Sequence, residues 1–265
     1  MKKTFILLLT FISIFAISRC AFAKAIPPEP GTLQSHVSHN GKFTVEIRII
    51  GYPDSSPSDC TFKEGNQVIW SKQIPTTPGQ VKISDNGEII AMANWGWYDE
   101  MGSKSLSFYD KKGDLIKEVS FGGDEFGMSP MKWVRNLTLS PDGTYCMVGS
   151  NGEEKALFSL YESKTGKLVW EKAFGYEETV EIKISDAAKF ILVATSNYKS
   201  GGNMWFLLLN RDGGILWQKK ISKNHSWDVE EYLRFKDNGK EFEIFNLVKN
   251  KFIFFALPAD KGGKK

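Results

Sequence analysis

The sequence predicts an all-β chain assembled from about five copies of one antiparallel unit. Three observations carry this: one Asn-Gly or Asp-Gly turn signal recurs, a second glycine turn recurs between its copies, and strand-like apolar runs fill the intervals. The first signal reads Ser38-His39-Asn40-Gly41-Lys42, Ser84-Asp85-Asn86-Gly87-Glu88 and Ser140-Pro141-Asp142-Gly143-Thr144. A degenerate copy stands at Ser185-Asp186-Ala187-Ala188-Lys189 and a fifth at Lys236-Asp237-Asn238-Gly239-Lys240. Such pairs favour tight turns between antiparallel strands, because glycine accepts positive φ without steric cost.

The second signal reads Gly65-Asn66-Gln67-Val68-Ile69-Trp70, Gly113-Asp114-Leu115-Ile116-Lys117, Gly166-Lys167-Leu168-Val169-Trp170 and Gly213-Gly214-Ile215-Leu216-Trp217. Its first glycines are 48, 53 and 47 residues apart. That period suits a four-stranded unit that cannot bury its apolar faces alone and stacks on its siblings. Second strands are expected around Ile89–Ala93, Tyr145–Gly149 and Phe190–Ala194, and third strands around Ser105–Tyr109, Ala156–Tyr161 and Met204–Leu209. Their continuous apolar character fits burial on both faces. No segment past the N-terminal leader carries capped helical periodicity.

The expected fold is therefore a β-propeller of about five four-stranded blades over residues 34–257, followed by a polar tail at 258–265. The last blade is either incomplete or closed by the N-terminal segment 24–33, where Pro27, Pro28 and Pro30 permit only a poor edge strand. A two-sheet β-sandwich is the alternative.

Leu160-Tyr161-Glu162-Ser163-Lys164-Thr165-Gly166-Lys167-Leu168-Val169-Trp170-Glu171 resembles the repeat of PQQ-like and WD40-like β-propeller proteins, and Ser140-Pro141-Asp142-Gly143 is similar to a turn common among them. The resemblance spans residues 34–257 and implies architecture rather than activity. Lys117 stands where the other repeats carry tryptophan, and the fifth repeat ends at Leu257 without a fourth strand. Members that hold PQQ use larger propellers and a vicinal cysteine pair. This chain has neither, so no cofactor is expected.

Residues 1–23 read as a secretory signal peptide: Lys2 and Lys3, an apolar run over 4–17, then Ala21-Phe22-Ala23. The run is shorter than the roughly twenty residues of a spanning helix. Export to the periplasm or the medium is the expectation, with no membrane span after cleavage. Lipidation of Cys20 fits poorly after Ile17-Ser18-Arg19. Of 34 Lys+Arg and 31 Asp+Glu, the leader holds three bases and no acids, which leaves 31 against 31. A balanced chain lacks the positive field that nucleic-acid partners need. Cys60 and Cys146 fall on repeats that are not neighbours and are expected as buried thiols.

Strand alternation puts both sets of short turns at one end. The long connections, 51–59, 94–105, 122–133, 175–180, 196–203 and 222–230, share the other end. With Glu153, Glu154, Lys155 and Lys249 at the same end, twelve acids and six bases populate this face, among many aromatics. The candidate ligand-binding residues are Trp95, Trp97, Tyr98, Asp99, Glu100, Asp124, Glu125, Tyr176, His225 and Trp227. An acidic, aromatic face suits a protein, a basic peptide or a cationic small ligand. A binding module is the leading expectation. A hydrolase or lyase using Asp99, Glu100, Asp124 and Glu125, with a glycan as one candidate substrate, is the alternative, as is a lectin stacking sugars on Trp95 and Trp97. No catalytic motif or metal-ligand spacing is present. His36 and His39 are expected as solvated turn residues.

Overall fold

The computed structural model describes residues 29–51, 57–95, 103–121, 133–151, 156–174, 178–197, 203–222, 224, 231–236 and 241–257. These residues form nineteen strands in five antiparallel sheets taken in chain order. The first sheet is β1 (Leu33–Val37), β2 (Phe43–Ile49), β3 (Ser58–Glu64) and β4 (Gln67–Ile74). The second is β5 (Pro78–Ile83), β6 (Ile89–Trp95), β7 (Ser103–Asp110) and β8 (Leu115–Ser120). The third is β9 (Trp133–Leu139), β10 (Tyr145–Asn151), β11 (Ala156–Glu162) and β12 (Lys167–Phe174). The fourth is β13 (Glu178–Ile184), β14 (Phe190–Asn197), β15 (Asn203–Asn210) and β16 (Ile215–Ile221). The fifth has three: β17 (Leu233–Phe235), β18 (Glu241–Asn246) and β19 (Lys251–Ala256). A single 3-10 turn, Asp186–Ala188, is the only helical segment among the described residues.

Each sheet is a meander in which every strand pairs with its neighbour in sequence. Four apolar clusters join consecutive sheets. Val45, Ile47 and Phe62 pack on Val81, Ile90 and Met92. Ala91, Leu106 and Phe108 pack on Leu137, Cys146 and Val148. Met147, Phe158 and Leu160 meet Ile182, Ile191 and Val193, and Leu192, Phe206 and Leu208 meet Leu233, Phe242 and Ile244. The middle sheets are thus covered on both faces, as their continuous apolar runs require.

The first sheet behaves differently. In β2 the odd residues Phe43, Val45, Ile47 and Ile49 are buried while Thr44, Glu46 and Arg48 are not. That alternation marks a strand with one face against the core. No apolar cluster among the described residues joins the fifth sheet to the first. The N-terminal strand β1 pairs with β2, and no described residue adds a fourth strand to the fifth sheet.

Candidate functional site

The turns between first and second strands are built alike. In four of them a serine hydroxyl accepts the N–H of the residue five places on: Phe43 to Ser38 and Ile89 to Ser84 at 3.0 Å, Tyr145 to Ser140 at 3.0 Å, Phe190 to Ser185 at 2.8 Å. The turns also tie sheet to sheet. Asn40 Nδ2 donates to the Asp85 carbonyl at 2.6 Å, Asn86 Nδ2 to that of Asp142 at 3.2 Å, and the Ala187 N–H to Asp142 Oδ2 at 3.2 Å. Burial works against the Asp142 charge, but hydrogen bonds from Ser140, Thr144 and Ala187 outweigh it and hold the carboxyl below its usual range.

The turns between third and fourth strands lie at the same end and are tied too. Trp70 Nε1 donates to the Lys111 carbonyl at 3.1 Å and Trp170 Nε1 to that of Arg211 at 2.6 Å. Lys117 replaces tryptophan at the equivalent position and packs its stem against Gly166, where an added Cβ would sit 2.4 Å from Lys117 Cγ.

Most of the residues singled out from sequence are expected at the opposite end. Trp97, Tyr98, Asp99, Glu100, Asp124, Glu125, Tyr176, His225 and Trp227 lie outside the described residues. Trp95 was expected in a loop and is instead the last residue of β6, while Trp133 opens β9. Asp59 and Glu178 are likewise strand residues, because the ladders run further than their apolar cores. Below Trp95 lies a buried polar network. Asn94 Nδ2 donates to Ser105 Oγ at 3.0 Å and to Ser107 Oγ at 2.7 Å, and Ser105 Oγ donates to Glu118.

A second polar feature, not foreseen from sequence, runs along the first strands, which lie side by side from sheet to sheet. The ladders of β5, β9 and β13 each carry an irregularity near their start. Just after it, one side chain reaches the next first strand. Gln80 Nε2 donates to the Val134 carbonyl at 3.0 Å, and its Oε1 accepts the Leu137 N–H at 2.9 Å. Asn136 Nδ2 donates to the carbonyls of Thr179 and Val180 at 3.2 Å. Glu181 Oε2 accepts the N–H groups of Tyr232 and Leu233 at 2.6 and 3.0 Å.

Around Glu181 the charges pair off. Lys183 Nζ is 3.2 Å from Glu181 and 3.1 Å from Glu231, and Arg234 also binds Glu231. Burial raises the Glu181 carboxyl above its ordinary range against the pull of Lys183 and the two N–H donors. Burial opposes the Lys183 charge as well, but Glu181 and Glu231 overcome it and raise the ammonium. Burial and then the Lys183 charge lower Lys82, although these lysines lie on the second and fourth sheets. The arrangement ties strands together with mutually neutralised charges. Among the described residues no group of His, Cys, Asp and Glu has metal-site geometry.

His36 is not a turn residue. It lies within β1, half-buried, and its Nε2 is enclosed without a hydrogen-bond partner. Burial, then the charge of Lys82, lowers its pKa. His39 is in the turn, exposed, 3.7 Å from Asp85. Cys60 and Cys146 are free and buried on the first and third sheets.

No family model matches the sequence, and no curated protein does either. The chain is similar in shape to many solved chains, 899 in all, and so wide a likeness cannot select a function. One is a protein of unknown function from Desulfotomaculum acetoxidans DSM 771, at 14% identity and TM-score 0.51, covering 85% of this chain and 69% of that one. Another is a eukaryotic initiation factor, at 12% identity and TM-score 0.49, covering 72% of this chain. This chain spans 43% of that factor's length. Likeness at such low identity bears on the fold alone.

Proposed function

We propose that the five sheets are blades of a β-propeller and that the protein is an exported, non-catalytic binding module. After burial, the Lys183 charge lowers Lys82 from two sheets away, which supports first strands that converge on an axis. Resemblance of the repeat to PQQ-like and WD40-like propellers supports the same architecture. The leader over residues 1–23 supports export, and among the described residues no helix is long and apolar enough to cross a membrane.

One observation carries the binding role. Short turns tied from sheet to sheet occupy one end, and strand alternation directs the long connections, both those between second and third strands and those between sheets, to the other. Recognition tends to sit on varied loops held by a rigid frame. Those loops carry the acids and aromatics that suit a protein or cationic ligand, with Trp97, Tyr98, Asp99, Glu100, Asp124, Glu125, Tyr176, His225 and Trp227 as the contact residues. A photo-crosslinking amino acid at Trp97 or Trp227, introduced in the producing cell, should capture a discrete partner. The same group at Lys112, in a short turn, should capture none. Equal labelling from both ends would defeat the reading.

A further inference from the structure

The fifth sheet ends one strand early, and the repeat shows what is missing. Phe254 on β19 is the counterpart of Phe62, Phe108, Leu160 and Leu208, since each lies opposite the third residue of its second strand: Glu243, Val45, Ala91, Met147 and Leu192 respectively. The four counterparts are fully buried, each packed on the next sheet as well as beside a fourth strand, whereas Phe254 has neither cover among the described residues and is 58% exposed. In the complete sheets a fourth strand pairs antiparallel with the third and sets Trp70, Lys117, Trp170 or Trp217 opposite this position.

The edge itself also differs. The outer strands of the complete sheets carry charge along their length: Lys72 in β4, Lys117 and Glu118 in β8, Glu171 and Lys172 in β12, Lys219 and Lys220 in β16. Charges there discourage edge-to-edge pairing. The interior of β19, Phe252 to Ala256, has none. Cations instead cap its rings from both faces: Lys236 stands 5.0 Å from the Phe254 centroid, Arg234 4.4 Å from Phe252, and Lys219 4.9 Å from Phe255.

We propose that the edge of β19 receives an extended strand of another protein, antiparallel, with an aromatic side chain opposite Phe254 and acidic residues beside the capping cations. This surface is separate from the long-connection end and does not depend on it. Backbone pairing supplies affinity in such strand addition, and alternate side chains supply specificity. A second copy of this chain fits less well, because a two-fold pairing would set the cations of both copies side by side. Residues 258–265, with Pro258, two glycines and three lysines, have the wrong chemistry for the strand, as do residues 24–32 with three prolines.

The probe is a capped peptide copying Lys167–Phe174 with Lys167→Glu and Lys172→Glu. Amide hydrogen exchange on the purified protein should show new protection confined to residues 251–256 when this peptide is added. Phe254→Lys in the protein, or Trp170→Ala in the peptide, should weaken binding about tenfold, the change that follows from losing about 1.4 kcal/mol. The unmodified Lys-bearing peptide should bind more weakly than the acidic one. Phe254 is exposed, so its variant should fold, as circular dichroism and an unchanged melting temperature would show. Absence of protection at saturating peptide overturns the proposal. So does protection, in the free monomer, of those amides in 251–256 that point away from β18, which means a strand in cis, or protection lost on dilution with a dimer, which means a second copy.

Discussion

The Glu181 carboxylate accepts the backbone N–H of Tyr232 at 2.6 Å, tying the fourth sheet to the segment that leads into the fifth. The same oxygen takes the Leu233 N–H, and both residues are almost wholly buried. Removing the acceptor leaves two enclosed donors and deprives Lys183 of a partner. Glu181→Ala should cost about 2–4 kcal/mol, the usual consequence of breaking such a buried arrangement from one side. Glu181→Gln retains an acceptor and should cost less. Urea unfolding of the two variants checks the order.

His36 should make stability fall on mild acidification. Burial and the Lys82 charge hold its folded pKa below 6.5. The unfolded chain therefore takes up the proton first. The contribution is complete above pH 6.5 and is lost as pH drops through that value toward the folded pKa. His36→Gln should flatten the change in urea midpoint between pH 7.5 and 5.5. Glu231, whose carboxyl is lowered because Arg234 and Lys183 outweigh its burial, acts below that window, as pH falls through about 4.5.

Two glycines in equivalent turns separate backbone strain from crowding. Gly41 and Gly143 have φ of +74° and +75°, so an alanine at either carries the same left-handed penalty of about 1 kcal/mol. A Cβ on Gly41 meets nothing within 4 Å, while one on Gly143 lies 2.9 Å from Ser84 Cβ and 3.1 Å from Ile89 Cγ1. Gly143→Ala should therefore be the more destabilising by about 1–3 kcal/mol. Paired thermal melts of both variants read the difference.

Neither Cys60 nor Cys146 should react with a thiol reagent at pH 8 until the protein unfolds. Burial pushes the Cys60 thiol up to about 12 against the opposing charge of Lys72, and pushes Cys146 higher still. Intact mass should be unchanged by reduction. A loss of two hydrogens reversed by reductant would reveal a disulfide and refute the placement of the two cysteines on separate sheets.

Much of the fold was legible because its signals are local. Gly41, Gly87 and Gly143 take the positive φ that their Asn-Gly and Asp-Gly turns announce. The degenerate fourth copy shows context overriding propensity, since Ala187 and Ala188 adopt φ of 50° and 52° without glycine. Strand ends were harder. Asn94 and Ser105 are polar and read as loop or boundary residues, yet they continue the ladder and bond to one another. The charges along the first strands were hidden for a different reason. Glu181 and Lys183 look like solvated strand residues until the fold brings Tyr232 and Glu231, 51 and 48 residues away, beside them. Trp95 is the single candidate contact residue whose backbone the described residues include.

Four exposed residues at equivalent places in the fourth strands allow a direct test of ring closure: Val68, Leu115, Leu168 and Ile215. Spin labels at these sites yield sheet-to-sheet distances by pulsed electron resonance. In a ring of five blades the fourth is as far from the first as the third is, so the 68–215 and 68–168 pairs should give closely similar distances. A 68–215 distance markedly longer than 68–168 would mean an open stack of sheets and would contradict the propeller.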